Sequence, residues 1–496
     1  MNVAPWIRRA AAAFGLGAIS VTGFAPLYLF PVPILALALV FRLIERAPDA
    51  RTRFGTGFGY GLGVFLVGVS WVYVSLHDFG MMPAPIAASV TLLFCAYLAL
   101  FPGCALLAAA QVRSPVLRRC VAMPGAWVFA EWARGWLFTG FPWLALGYSQ
   151  APHGPLAGFG PLAGVYAVGL LSAASAGLLV HAYALGKRDA WRPLAAMALV
   201  WGAGWGLKLV EWTAPSGEPV SVSLLQGNVP QEMKWRPEVV ASTLQRYEEM
   251  VLATQSRLVV LPETALPLFW QEVPTQFLDR IRAHARANRA DVLIGVPERA
   301  NRQSYFNSLI SIGSSPIQAY RKSHLVPFGE FIPLRPVLGA IVQTLAIPLT
   351  DFSRGDISQR PLAVADQKVA VNICYEDAFG EEIIRQLPEA TLLVNVSNVA
   401  WFGDSLAPMQ HLQIAQMRAI ETGRHMLRAT NTGMTAIIDP RGNVRDIAPT
   451  FQTAIVEATI HGHTGATPYV QIGNAPTIVL SMVLILAAFF PRRRTI

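Results

Sequence analysis

Charge and cysteine are both scarce in this sequence. Only 14% of its 496 residues are Asp, Glu, Lys or Arg while 53% are hydrophobic, a balance that excludes an ordinary soluble protein of this length. There are four cysteines: Cys95, Cys104 and Cys120 lie in or beside apolar segments, and Cys374 stands alone within 211–470. That stretch has no second thiol to form a disulfide with. The nine histidines lack metal-ligand spacing, the pair His461 and His463 included, and no glycine loop of the phosphate-cradling kind is present. No metal and no cofactor are therefore expected.

Apolar length is what the sequence has in excess. Segments at about 10–23, 25–44, 57–76, 84–110, 120–139, 160–185, 192–210 and 474–490 each approach the length a bilayer core requires. They predict an α-helical membrane bundle of about eight helices, seven within 1–210 and one in 471–496 ahead of a basic tail, with a soluble domain at 211–470 between them. The first segment follows Arg8 and Arg9, so a cleaved signal peptide competes; no small-x-small cleavage site follows, and a retained helix is expected. The fifth carries Glu131 and Arg134, which either face a partner or polar cavity inside the bilayer or pair at a helix end.

Basic residues mark every second connection: Arg8 and Arg9, Arg42 to Arg53, Arg113 to Arg119, Lys187 to Arg192, and Arg492 to Arg494. The positive-inside rule then puts both termini in the cytoplasm and 211–470 in the periplasm of a bacterial inner membrane. Residues 211–470 hold 22 Lys and Arg against 25 Asp and Glu, so the chain's net +9 comes from the membrane connections. A nucleic-acid partner thereby loses its main support and is not expected, because it needs clustered cations on the working domain.

The insert alternates strand-like and helix-like stretches. Runs at 219–229, 257–264, 290–298, 306–313, 368–376, 390–398 and 433–442 have strand length and β-branched content, and 276–289 and 408–424 have helical periodicity. An α/β layer domain follows, with chemistry expected at strand ends. Three strand ends carry Glu263, Cys374 and Asn398, and a Pro- and Gly-tied loop carries Lys322 and Glu330. A lone cysteine ending an apolar strand is by default an inert small hydrophobe. The nearby carboxylates and ammonium favour the alternative, a thiol kept single because it reacts.

The stretches LPETALP, RKSHLVPFGEFIP, NICYED and NVSNVAWFGDSLAPMQH resemble the signatures of the nitrilase superfamily. Fused to a membrane bundle, and with QGNVPQEMKW and FTGFPWL, the chain resembles the bacterial apolipoprotein N-acyltransferase family. The resemblance implies an αββα sandwich and a Glu-Lys-Cys triad. Cys374 is then the nucleophile, for which an appreciable thiolate fraction near neutral pH is expected. Glu263 is the general base, a role served by burial raising its pKa. Lys322 is the oxyanion-stabilising cation. Glu330 resembles a second glutamate bonded to the lysine or the base. Glu376 either shares the face of Cys374 or is a solvated turn residue, and Tyr375 packs at the site wall.

The implied reaction moves an acyl chain from the sn-1 position of phosphatidylethanolamine, through a Cys374 thioester, to the α-amine of an apolipoprotein's diacylglyceryl-cysteine. The partners are that phospholipid donor and the apolipoprotein acceptor, and the enzyme is taken as a monomer. Candidates for substrate binding are Trp235, Asn307, Phe328, Asn398, Trp401 and Phe402, although such aromatics equally serve a core. The apolar stretch 336–352 is either a membrane or ligand contact or a buried connection. Two rival readings are a membrane-tethered amidase and a non-catalytic scaffold or transporter.

Overall fold

A computed structural model describes residues 4–301, 304–332 and 352–489. Most of the stretch 336–352, and Arg492 to Arg494, lie outside the described residues. The chain divides into two compact units, one of 1–73, 83–210 and 471–496, the other of 74–82 and 211–470.

In the first unit a helix overlaps each of the eight expected segments. Among the described residues, Ala84–Ala109 and Pro155–Leu185 are long and apolar enough to cross a membrane, and a third span exists if the pair Ala50–Gly68 and Trp71–Phe79, bent by 49°, counts as one. Pro5–Ser20, Pro31–Glu45 and Trp191–Leu207 have 16, 15 and 17 residues. At about 1.5 Å per residue such helices fall short of a core about 30 Å thick. Pro5–Ser20 packs closely on Ala50–Gly68 because Gly59 and Gly63 have no side chain: a Cβ there would meet Ala10 O at 2.5 Å and Phe14 O at 2.1 Å. Glu131 and Arg134 are both buried. They serve the main chain of the following loop: Glu131 Oε1 accepts from Leu146 N at 2.8 Å and Arg134 donates to Trp143 O at 2.8 Å. One carboxylate oxygen and the guanidinium thus serve loop backbone that would otherwise lack partners.

The second unit is a four-layer sandwich. Sheet one runs β12-β1-β2-β3-β4-β5 and sheet two β11-β10-β9-β8-β7-β6. The strands are β1 (Ala214–Gln226), β2 (Leu258–Val260), β3 (Asp291–Arg299), β4 (Tyr305–Gly313), β5 (Gln318–Arg321), β6 (Leu362–Val364), β7 (Gln367–Ile373), β8 (Leu392–Ser397), β9 (Met426–Thr430), β10 (Ala436–Ile438), β11 (Val444–Ile447) and β12 (Ala454–Thr464). Alternation along the strands makes the layers. Val222, Leu224, Leu258 and Val260 of sheet one meet Val369, Val371, Ile373, Val394 and Leu427 of sheet two in one core. The opposite face of sheet one packs Val259, Val292 and Ile310 against Tyr247 and Met250 of helix Pro237–Leu252 and Phe277 and Ile281 of helix Thr275–Ala287. Ala370, Leu393 and Met426 of sheet two pack against Leu412, Ala415 and Ala419 of helix Ala407–Thr422. Each fully buried aliphatic side chain contributes about 1.5–3 kcal/mol.

All seven expected strands and both expected helices are present, and the α/β sandwich with them. Strands β5, β6, β9, β11 and β12 and helix Pro237–Leu252 were not expected from the sequence, and neither was one assignment in the chain. Residues 74–82, between two apolar helices, belong to the sandwich unit: Ser75 Oγ donates to Trp401 O at 2.7 Å, and Gly403 packs near Val74 and Phe79.

Candidate functional site

The site forms at the ends of the central strands, between the two sheets. Sheet one contributes Glu263, three residues past β2, Asn307 on β4 and Lys322 directly after β5; sheet two contributes Cys374 directly after β7 and Asn398 directly after β8. β7, β8 and β9 are parallel neighbours that end within one residue of one another in register, and β2 runs parallel between β1 and β3, so the turns after β7 and β8 lie side by side.

Cys374 turns from strand into a single-turn 3-10 helix, Cys374–Ala378, with φ of +55°. A non-glycine residue in this left-handed region costs roughly 1–2 kcal/mol, and the strain lifts the side chain out of the pleat at the corner. The corner is fastened by Glu376, which is buried. Its Oε2 accepts from Ile373 N at 2.6 Å and Tyr320 OH at 3.1 Å, and its Oε1 from Ser323 N at 2.7 Å and His324 N at 3.0 Å. Of the two readings for Glu376, the solvated turn residue is excluded: the carboxylate ties the Cys374 turn to the loop that carries Lys322.

Lys322, 1% exposed, has its Nζ 2.9 Å from Glu330 Oε1 and 3.5 Å from Glu263 Oε1. Asn307 Nδ2 donates to the same two carboxylates, at 2.7 Å to Glu263 and 3.2 Å to Glu330. Asn398 N donates to Glu263 Oε2 at 2.8 Å. Glu330 in turn accepts from Val326 N at 2.8 Å, which closes the loop between lysine and glutamate.

These partners fix the protonation states. Burial pushes the Cys374 thiol up, and Glu263 beside it adds to the rise; Lys322 and Ser397 oppose, leaving it at about 12. Burial also works to raise Glu263, but Lys322, Asn307, the Asn398 amide and Lys234 outweigh it and hold the carboxyl below its ordinary value. Burial alone would discharge Lys322, yet Glu330, Glu263 and Cys374 keep its pKa above that of ordinary lysine. The resting site is therefore a neutral thiol beside an ionised carboxylate and an ammonium. Two sequence-based expectations are corrected: burial and Glu263 hold the thiol up rather than leaving it partly ionised near neutrality, and the raising effect of burial on Glu263 is outweighed, because cations and donors converge on a site that also excludes water.

The remaining candidates fall into two groups. Asn307 and Asn398 are in the polar cluster, whereas Trp235, Phe328 and Trp401 are 53%, 47% and 39% exposed, Phe328 on the loop of Lys322 and Glu330 and Trp401 on that of Asn398. Phe402 is half-buried next to Trp401. Tyr375 is buried edge-on against Phe379, with ring centroids 5.1 Å apart.

The sequence reading passed over a buried polar layer beneath the cysteine, on the face of sheet two covered by helix Ala407–Thr422. Asn395 Nδ2 donates to Cys374 O at 3.1 Å, and His411 Nε2 lies 3.2 Å from the same oxygen and 2.6 Å from Asp377 Oδ1. Arg428 on β9 donates to Asn395 Oδ1 at 2.6 Å and to Asp377 Oδ2 at 3.2 Å. A charge at Arg428 in an otherwise apolar strand was the available signal. Lys234, also buried, donates to Thr264 Oγ1 at 2.8 Å and was passed over as well.

Comparison with known proteins covers both units. Residues 16–178 match the family model described as apolipoprotein N-acyltransferase N-terminal domain, and residues 221–469 match that of carbon-nitrogen hydrolase. A protein of Nitrosomonas europaea called apolipoprotein N-acyltransferase is 53% identical, over 98% of this chain and 99% of its own. Relatives of the same name from Chromobacterium violaceum and Methylococcus capsulatus are 45% and 47% identical, each over 95% of this chain and over 92% and 94% of their own.

Proposed function

The chain belongs to the apolipoprotein N-acyltransferase family, and from that membership we propose that its sandwich unit carries the acyl transfer on Cys374, Glu263 and Lys322. The enzyme is an acyltransferase that N-acylates lipoproteins. The observation carrying the residue assignment is the convergence, from two different sheets, of a neutral thiol with an ionised carboxylate and a buried ammonium.

In the first half-reaction Glu263 takes the thiol proton as Sγ attacks the carbonyl of a phospholipid ester, from the sn-1 position of phosphatidylethanolamine. Lys322 stabilises the oxyanion that develops. The tetrahedral adduct collapses to a Cys374 thioester, and the departing alkoxide takes the proton from Glu263 to leave as lysophospholipid. In the second, the neutral α-amine of a diacylglyceryl-cysteine attacks the thioester; Glu263 accepts the amine proton and returns it to sulfur as the amide forms. Glu330, Asn307 and the Asn398 amide hold the two reacting charges in place, and Glu376 holds the Cys374 corner. Exposed Trp235, Phe328 and Trp401, with Phe402, line the path of the acyl chain.

The bundle 1–210 and the helix in 471–496 form eight spans with both termini cytoplasmic, so that 211–470 works in the periplasm at the membrane surface, as a monomer. The alternating basic connections support this orientation. Incubating purified protein with phosphatidylethanolamine and searching Cys374 by mass spectrometry for an acyl adduct tests the reading. The adduct is expected in wild type, absent in Cys374→Ala, and discharged by a diacylglyceryl-cysteine peptide; active enzyme that never carries it overturns the mechanism. Release of free fatty acid alone would identify an amidase.

A further inference from the structure

Among the described residues, Glu263 feels two buried ammonium groups, and only Lys322 belongs to the catalytic set. The other, Lys234, sits in the turn that follows β1 and is 2% exposed, although its neighbours Met233 and Trp235 are 38% and 53% exposed. Its Nζ donates to Thr264 Oγ1 at 2.8 Å and lies 3.5 Å from the carbonyl oxygen of Glu263. Thr264 has φ of +46°, a conformation that a β-branched residue avoids, so its surroundings hold the turn. One side of that support is Gly295 on β3, where a Cβ would lie 2.0 Å from Pro262 O. Lys234 is the other.

The Lys234 turn is also tied to sheet two. Gln231 Oε1 accepts from Asn398 Nδ2 at 2.7 Å, and Asn431 Nδ2 donates to Val229 O at 2.7 Å. The acceptors of Lys234 are neutral oxygens, which a neutral amide could equally serve, yet the position carries a cation at the expense of desolvating it. Burial brings its pKa down to about 8, and Glu263 opposes the fall. The charge itself is what needs a reason.

We infer that Lys234 is a positioning residue for Glu263: its ammonium fastens the left-handed turn at Glu263–Thr264 and sets a second buried positive charge near a carboxylate whose other cation, Lys322, is shared with Glu330. The inference rests on Glu263 being the base. With Lys234 counted, two ammonium groups match Glu263 and Glu330. Passing the thiol proton to Glu263 then moves one negative charge from oxygen to sulfur between cations, and no net charge is created in a buried site. The other charged and titratable groups that bear on Glu263 are Lys322, Glu330, Cys374 and Arg428.

The test uses full-length protein in detergent, with phosphatidylethanolamine and a diacylglyceryl-cysteine peptide, and compares pH profiles. Lys234→Gln keeps donors but loses the charge: kcat falls about tenfold or more, KM for the peptide stays within about twofold, and the acid limb moves up by about one pH unit. Lys234→Arg keeps the limb in place. Thr264→Val removes the Nζ acceptor but leaves the charge, so it lowers kcat without moving the limb, and it carries the test of fastening should Lys234→Gln not fold. A Lys234→Gln limb that coincides with wild type, or wild-type kcat in Thr264→Val, overturns the inference. Glu263→Gln separates the two levels: if it turns over at the wild-type rate, the base assignment falls, whereas a Glu263→Gln slowed about 10²-fold or more beside an unmoved Lys234→Gln limb leaves Lys234 alone at fault.

Discussion

The backbone amide of Asn398 donates to the Glu263 carboxylate at 2.8 Å, so a strand end of one sheet holds the carboxylate borne by the other. The relative position of the sheets thereby becomes part of the site's geometry. The inter-sheet core of aliphatic side chains is then what keeps the distance, since close-packed interiors transmit small displacements rather than absorb them.

Removing one cation from this cluster should expose the repulsion it masks. Lys322→Met leaves the buried Glu263 and the half-buried Glu330 without their shared ammonium. A loss of about 3–5 kcal/mol of stability is expected, together with loss of turnover. Adding Glu330→Gln should restore part of the stability and none of the activity, as read by thermal denaturation and acyl-transfer assays.

Glu263→Gln is expected to lower turnover by about 10²-fold or more while making the thiol more acidic. The sign follows from the site: burial is the largest cause of the raised thiol, and the Glu263 charge is the next. With that charge gone, the thiolate should form at lower pH than in wild type. Alkylation of Cys374 by iodoacetamide followed along a pH series checks this, and an upward shift would contradict it.

Arg428→Met should unfold the corner from beneath. It strips Asp377 and Asn395 of a fully buried donor, and Asn395 is one of the groups holding Cys374 O. A destabilisation of about 3–5 kcal/mol is expected, and it should be smaller in Arg428→Met with Asp377→Asn. Equal losses in the single and double variants would show that Asp377 and Arg428 do not act as a pair.

In the membrane-side unit, Gly63→Val has no room. Its Cβ would stand 2.1 Å from Phe14 O, on backbone that cannot swing aside. The helices Pro5–Ser20 and Ala50–Gly68 must part, and a fall in melting temperature should be larger than for Gly15→Val, where a Cβ meets nothing within 4 Å.

How far the sequence could be read depended on where burial comes from. Strands β3, β7 and β8 carry mostly apolar centres, legible because both of their faces are covered. β9 was missed because Arg428 interrupts it, and that charge is tolerable only with Asp377, 51 residues away, as partner. Cys374, Glu263 and Lys322 were visible as reactive groups at strand ends or in a motif. Lys234 and His411 were not, since their burial is made by elements distant in sequence. The direction of the Glu263 shift was equally hidden: it depends on which donors outweigh desolvation, and that balance exists only after folding.

Residues 74–82 carry a practical consequence for anyone cutting the gene. A fragment starting at 211 looks self-sufficient on the linear map, yet it would omit the strut whose Ser75 hydroxyl grips the carbonyl of Trp401, three residues beyond Asn398. Such an excised piece should fold with a slack 399–403 segment and bind acyl chains poorly, and supplying the nonapeptide in trans would be the cheapest way to see it tighten.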